Sequence, residues 1–237
     1  MKNLILLTTF FLISSIAFGQ KADTETRKID SFDKISVNSV IKVELYKGNT
    51  GEIEIYTENI PTEKIKSTVK NGKLTLNLES RKKGWNDIEV KVRVPFENLS
   101  KIIGSTASSI SSDETLAFDN FEISLGEASQ CDLNIECEAL EVNLNSASKL
   151  HIAGKCQRLD ANINSAATLN AFKLKVSDAD IIANSMAKVR VNVKNDLHVT
   201  ASSMSKVSYM GEPSNLHENK SSMASIRQVK GNMKEIK

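Results

Sequence analysis

The sequence predicts an all-β protein whose C-terminal two-thirds is a single-stranded, right-handed parallel β-helix with coils of about nineteen residues. Three observations lead there. A nine-residue pattern recurs at nearly constant spacing, apolar and polar residues alternate within each copy, and the corners between alternating runs are built from Ser and Asn.

The pattern is clearest in residues 142–150 (VNLNSASKL), 161–169 (ANINSAATL), 181–189 (IIANSMAKV) and 199–207 (VTASSMSKV). Residues 102–110 and 123–131 fit it, and residues 218–226 are a degenerate copy. The closing apolar positions are Ile110, Cys131, Leu150, Leu169, Val189, Val207 and Ile226, spaced by 21, 19, 19, 20, 18 and 19 residues. Alternation with period two is the signature of a strand with one buried face. Leu140, Val142 and Leu144 share one face while Glu141 and Asn143 share the other. After the corner, Ser148, Leu150 and Ile152 turn inward and Lys149 and His151 outward. A unit this short has no core of its own, so it must stack on its neighbours with equivalent residues ~4.8 Å apart. A helical solenoid conflicts with the period-two alternation, and a β-propeller needs roughly twice this repeat length. The corner column reads Ser105, Gly126, Asn145, Asn164, Asn184, Ser202 and Ser221, residues able to hydrogen-bond from coil to coil, with Asn tolerant of unusual corner angles.

The N-terminal third is less regular. Residues 35–43 (ISVNSVIKV) match the template and predict a first coil. The 67 residues from Val43 to Ile110 are too many for one turn. They predict a β-meander with strands at 52–57, 65–69, 73–78 and 88–94, with Asn71-Gly72 as a hairpin turn, packing on or extending the first end of the helix. Met1-Lys2-Asn3, the apolar run Leu4–Ile16 and Ala17-Phe18-Gly19 predict a secretory signal peptide cleaved after Gly19. The run is short for ~30 Å of hydrocarbon, and no transmembrane segment is expected after cleavage. The organisation expected is therefore signal peptide 1–19, linker 20–30, first coil and meander 31–100, β-helix 101–229 and tail 230–237. The destination is the periplasm or the cell surface.

The chain has 31 basic and 29 acidic residues, and removing residues 1–19 removes Lys2 alone. That balance argues against a nucleic-acid partner. The one basic run, Arg81-Lys82-Lys83, reads as a solvated loop. Stacking turns the outward positions into surface columns. Glu122, Glu141, Asp160, Asp180, His198 and His217 form one of them. It reads either as a strip for a divalent cation or cationic ligand or as a hydrated face, since one column rarely wraps an ion with 6–8 oxygens. Lys149, Lys188 and Lys206 form another outward column, with Asp132, His151, Asn170, Arg190, Ser208 and Arg227 beside it; this face suits a glycan or a protein, or plain solubility. Met186, Met204 and Met223 continue Ala107, Ala128, Ala147 and Ala166 at a corner, as an adaptable binding stripe or as corner packing. Cys137 and Cys156 fall in one column on adjacent coils, so the pair reads as a disulfide or as two stacked thiols. Cys131 belongs to the core column. Trp85 sits in a loop where it can stack on a sugar or pack on the meander. No catalytic motif stands out, and no cofactor is expected.

Residues 32–37 (FDKISV), 40–45 (VIKVEL) and 71–76 (NGKLTL), followed by small-residue coils, resemble the putative auto-transporter adhesin family with a head GIN domain. The resemblance spans roughly residues 29–229. It implies a pectin-lyase-like β-helix and a role in cell adhesion, with no catalytic residues to carry over. The Gly-Ile-Asn tripeptide that names the family is absent. Its nearest equivalents are Leu144-Asn145-Ser146, Ile163-Asn164-Ser165 and Ala183-Asn184-Ser185. The reading that follows is a non-enzymatic binding or adhesion module of the cell envelope, with a carbohydrate-active lyase or hydrolase as the alternative.

Overall fold

A strand with alternating side chains has one dry face, and a row of such strands can hide that face only by curling around it. This computed structural model describes residues 22–79 and 87–230. Its strands are β1 (Ala22–Lys28), β2 (Lys34–Val37), β3 (Lys42–Lys47), β4 (Glu52–Glu58), β5 (Ile65–Lys70), β6 (Lys73–Leu78), β7 (Glu89–Phe96) and β8 (Lys101–Gly104). They continue as β9 (Ser109–Leu125), β10 (Gln130–Leu144), β11 (Lys149–Ile163), β12 (Thr168–Ala183), β13 (Lys188–Ala201), β14 (Lys206–Met210), β15 (Asn215–Lys220) and β16 (Ser225–Gln228). A 3-10 turn at Thr62–Lys64 precedes β5. No helix among the described residues is long and apolar enough to cross a membrane. The signal peptide, Arg81-Lys82-Lys83, Trp85 and all but the first residue of the tail lie outside the described residues.

From β9 to β16 the chain is a parallel β-solenoid with the expected repeat. Leu150 faces Cys131 on one side and Leu169 on the other, and the column runs unbroken from Val43 through Ile110 to Ile226. The inward columns form one continuous core. Leu140, Val142, Leu144 and Leu150 are at most 1% exposed, and burying each such side chain contributes roughly 1.5–3 kcal/mol. Unequal coil lengths are absorbed at local register shifts, such as those between Asp132 and Asn134 and between Ala171 and Lys175.

The first end differs from the meander expected. β2 and β3 form a coil that stacks directly on β8 and β9, pairing Ile35 with Ile102 and Val43 with Ile110. The inserted strands β6 and β7 then return parallel to β2 and β3 on the outer side, with Leu74 opposite Ile35 and Val92 opposite Val43. They make a further coil, so the stack is out of sequence order. Only β5 and β6 form the expected hairpin through Asn71-Gly72. The physical reason is that Leu74, Leu76, Val90, Val92 and Val94 carry the same inward alternation as the coils and bury completely or nearly so there. β5 and β4 cover the outer edge antiparallel, and β1 adds to β4. Residues 22–28, expected as linker, are thus a strand. Arg27 anchors it, donating hydrogen bonds to the Ile65 carbonyl at 2.6 Å and to Glu25 at 2.8 Å.

The corners also differ in detail. The unusual backbone angles fall not on the Asn column but on the next two residues, Ser146 (φ 52°) and Ala147 (φ 60°) in one coil and their counterparts in every coil from Thr106-Ala107 onward, while the first coil has Ser39 alone (φ 72°). The Ser148 amide closes the turn on the Asn145 carbonyl at 3.1 Å. The Ala147 amide donates to the Ser165 carbonyl of the next coil, and the Asn145 amide to the Leu125 carbonyl of the previous one, both at 2.9 Å. A left-handed pair therefore keeps the backbone ladder running through the bend, which explains why non-glycine residues accept that conformation. Side-chain bonding along the corner column is present too: Ser105 Oγ donates to Asn38 Oδ1 at 2.6 Å, and Ser202 Oγ to Asn184.

Two stability predictions follow from this geometry. Ala147→Gly relieves the left-handed strain and is expected to raise the unfolding free energy by about 0.5–1 kcal/mol, whereas Ala147→Val, branched at Cβ, is expected to lower it by about 2 kcal/mol. Urea denaturation midpoints of the two variants, moving in opposite directions, check this. Gly154 has φ 112°, and a Cβ there would sit 1.9 Å from the Ile135 carbonyl oxygen of the preceding coil. Gly154→Ala is expected to cost at least about 2 kcal/mol, read as a lower melting temperature than that of the wild-type chain.

Candidate functional site

Register decides which side chains meet on the outside as firmly as it decides the core. The acidic column expected from the sequence is in place. Glu122, Glu141, Asp160, Asp180, His198 and His217 stand on successive coils, and Lys101 on β8 extends the line by one. Carboxylates at strand spacing repel, and the structure shows how most of that repulsion is relieved. Lys101 Nζ lies 2.6 Å from Glu122, Asn143 donates to Glu141 at 2.9 Å, and Arg158 Nε lies 3.1 Å from Asp160. The hydrogen bond to Asp160, then its charge and those of Asp180 and Asp178, hold the Arg158 proton more tightly than usual. At the far end the rings of His198 and His217 pack against each other, tilted by 34° with centroids 4.6 Å apart.

A second column lies two residues upstream of the first. It reads Asn120, Ala139, Arg158, Asp178, Asp196 and Asn215. Its spacing was present in the sequence, but its mixed chemistry gave no like-over-like signal. Where the two columns run side by side, Arg158, Asp178, Asp180, Asp196 and His198 line a shallow hollow of about 260 Å³. The Asp196 amide donates to Asp178 at 3.3 Å, and Asn215 donates to Asp196. Four carboxylates with Asp160 included face a single guanidinium, so the hollow attracts cationic groups and accepts hydrogen bonds from hydroxyls. Among the described residues no group of three or more His, Cys, Asp and Glu side chains is placed to hold a metal ion.

The same face leads at its N-terminal end into a larger groove of about 650 Å³. Asp33, Lys47, Glu97, Asn98, Ser100, Asp119 and Asn120 supply its polar lining and Phe118 part of its floor. Phe118 is stacked on Phe121 at 3.9 Å. The groove draws on residues 33, 47, 97–100 and 117–120, which are far apart in the sequence. No local pattern in the sequence points to it.

The other columns are in register as well. Lys149, Lys188 and Lys206 share one line, and Asp132, His151, Asn170, Arg190, Ser208 and Arg227 the next. His151 Nδ1 is 3.0 Å from Asp132. Met186, Met204 and Met223 are 54%, 50% and 82% exposed, so they are not corner packing. Each sits in the left-handed conformation that earlier coils give to Ala. Cys131 is fully buried, which pushes its thiol well above the usual range. Cys137 and Cys156 face each other on β10 and β11.

Solved structures share this architecture. A putative adhesin from Bacteroides fragilis is 17% identical, with a TM-score of 0.76, over 89% of this chain and 98% of its own. A putative adhesin from Parabacteroides merdae is 16% identical, with a TM-score of 0.71, over 89% and 97%. A putative lipid binding protein from Parabacteroides distasonis is 18% identical, with a TM-score of 0.70, over 88% and 97%. No curated protein matches the sequence. The family described as putative auto-transporter adhesin, head GIN domain, matches residues 31–213, most of the chain and all of the solenoid up to β14, and the protein belongs to that family.

Proposed function

We propose that the protein is a non-enzymatic adhesion module of the cell envelope that holds a glycan or a surface protein along the face running from the Asp33–Asn120 groove to the Asp180–His198 hollow. The observation that carries this reading is the pair of parallel polar columns, which offer hydroxyl-binding and cation-attracting groups at one-coil intervals on a rigid support. The family supports an adhesion role. The concavities on this face are open, and an elongated ligand laid along the solenoid axis would meet a fresh set of polar groups every ~4.8 Å. Export to the periplasm or cell surface follows from the leader expected at residues 1–19.

The exposed methionines favour a second reading. Met186, Met204 and Met223 form an apolar edge beside Lys188 and Lys206, a combination suited to an anionic lipid surface. One of the structural relatives is described as lipid binding.

A glycan array and a pull-down from envelope extracts test the first reading. A ligand is expected whose affinity falls at least about tenfold, roughly 1.4 kcal/mol, in an Asp160→Asn, Asp180→Asn, Asp196→Asn variant of unchanged melting temperature. No ligand in either screen, together with unaltered adhesion of a deletion strain, would sink it. Flotation with phosphatidylglycerol vesicles tests the second. Met186→Ser with Met204→Ser is expected to abolish flotation while the carboxylate variant keeps it.

A further inference from the structure

We propose that Cys137 and Cys156 are a cross-linking site, oxidised to a disulfide that ties two successive coils of the solenoid together. The two residues are in register across β10 and β11. Parallel strands hold paired Cα atoms near 4.8 Å, inside the ~4.4–6.8 Å range that disulfides span. Their sulfurs are 3.0 Å apart. That is closer than the ~3.5–4.0 Å at which even two carbon atoms rest, and within a small side-chain rotation of the ~2.05 Å bond. The flanking coils place Phe118 and Val176 in this column. Only the two central coils replace a bulky apolar side chain with a thiol, and they do so side by side. Cys131 is not a competitor, since it lies between Ile110 and Leu150 with no sulfur opposite.

Oxidation needs an acceptor, and a second disulfide supplies it. Cys137 is partly buried while Cys156 is buried, so an incoming disulfide reaches Cys137 first. The Cys137 thiolate attacks one sulfur of the incoming disulfide, and the first carrier thiol leaves. The Cys156 thiolate then attacks Cys137 Sγ and expels the second carrier thiol. Two thiol protons and two electrons pass to the carrier, whose disulfide is reduced to two thiols. The Cys137 thiol donates a hydrogen bond to Cys156, which holds the Cys137 proton and favours the Cys156 thiolate. The Cys156 thiolate therefore takes that proton as Cys137 attacks, and passes it to the departing first carrier thiolate before the second step. The bridge would lie four residues before Glu141 and Asp160, so it fixes the spacing of the two coils at the middle of the acidic column.

The test uses the full chain incubated with oxidised glutathione and then unfolded in the presence of iodoacetamide. One alkylated cysteine, Cys131, is expected without reductant and three after reduction, by intact mass. Reduction is expected to lower the melting temperature by about 6–12 °C. Cys131→Ser is expected to keep that response and Cys137→Ser to lose it. Three alkylated cysteines before reduction would overturn the proposal, as would a bridge or glutathione adduct mapped to Cys131. The alkylation count on the unmutated chain decides the matter even where a variant fails to fold.

Discussion

Everything in this molecule depends on one backbone device: the turn at the corner of each coil continues the inter-coil hydrogen bonds instead of interrupting them. The amides of Asn145 and Ala147 point in opposite directions along the axis, one to the coil before and one to the coil after. Keeping that arrangement demands two consecutive left-handed residues, which L-amino acids resist at roughly 1–2 kcal/mol each. The coils accept the strain because the alternative is worse. A turn with ordinary angles would leave amides and carbonyls unpaired at every corner, and it would let the strands slip. A slip of one residue would carry Leu140, Val142 and Leu144 to the solvent and Glu141 to the core. Register, core and surface columns are therefore a single constraint seen from three sides.

That constraint explains how much was readable from the residues. Ile110 through Ile226 could be placed in one column because the repeat is uniform and each coil touches only its neighbours. The acidic column followed at once, since outward residues inherit the register of inward ones. The N-terminal end was less legible for a topological reason. The alternation in Leu74–Leu78 and Val90–Val94 shows that these segments are strands with one buried face, but it says nothing about which neighbour each will choose. β6 and β7 choose the outer side of β2 and β3, so the order of the stack departs from the order of the chain. Ala22–Lys28 is polar and partly exposed throughout. Its pairing with β4 rests on backbone bonds and on Arg27, which leave no hydrophobic trace. The corner strain falls one residue later than the Asn column predicts: Asn is the residue type that tolerates it, but the geometry gives the task to the next two residues, mostly Ser followed by Ala or Met.

The polar face shows a similar division. The hollow at Asp180 combines a column of like charges, which stands out in the sequence, with the Arg158–Asp178–Asp196 column, which does not. Opposite charges on adjacent coils cancel in a composition argument yet matter most for local chemistry. Arg158 relieves one carboxylate and leaves the others facing solvent. A surface of this kind gains little from any single contact, because exposed ion pairs are worth only about 0–1 kcal/mol. On the function proposed, affinity for an elongated ligand would come from many weak contacts made at once along the solenoid.

The last coil holds a different kind of information. Leu216, Glu218 and Lys220 of β15 stand over Leu197, Val199 and Ala201, so two charges occupy positions that every earlier coil reserves for apolar groups or, once, a glycine. All three are exposed, and so is the rest of β15. Any rung laid on top, from a duplicated repeat or from the end of another molecule, would have to dehydrate both ions at several kcal/mol apiece. The stack carries its own stopper. The charges of β15 oppose end-to-end growth at that exposed edge.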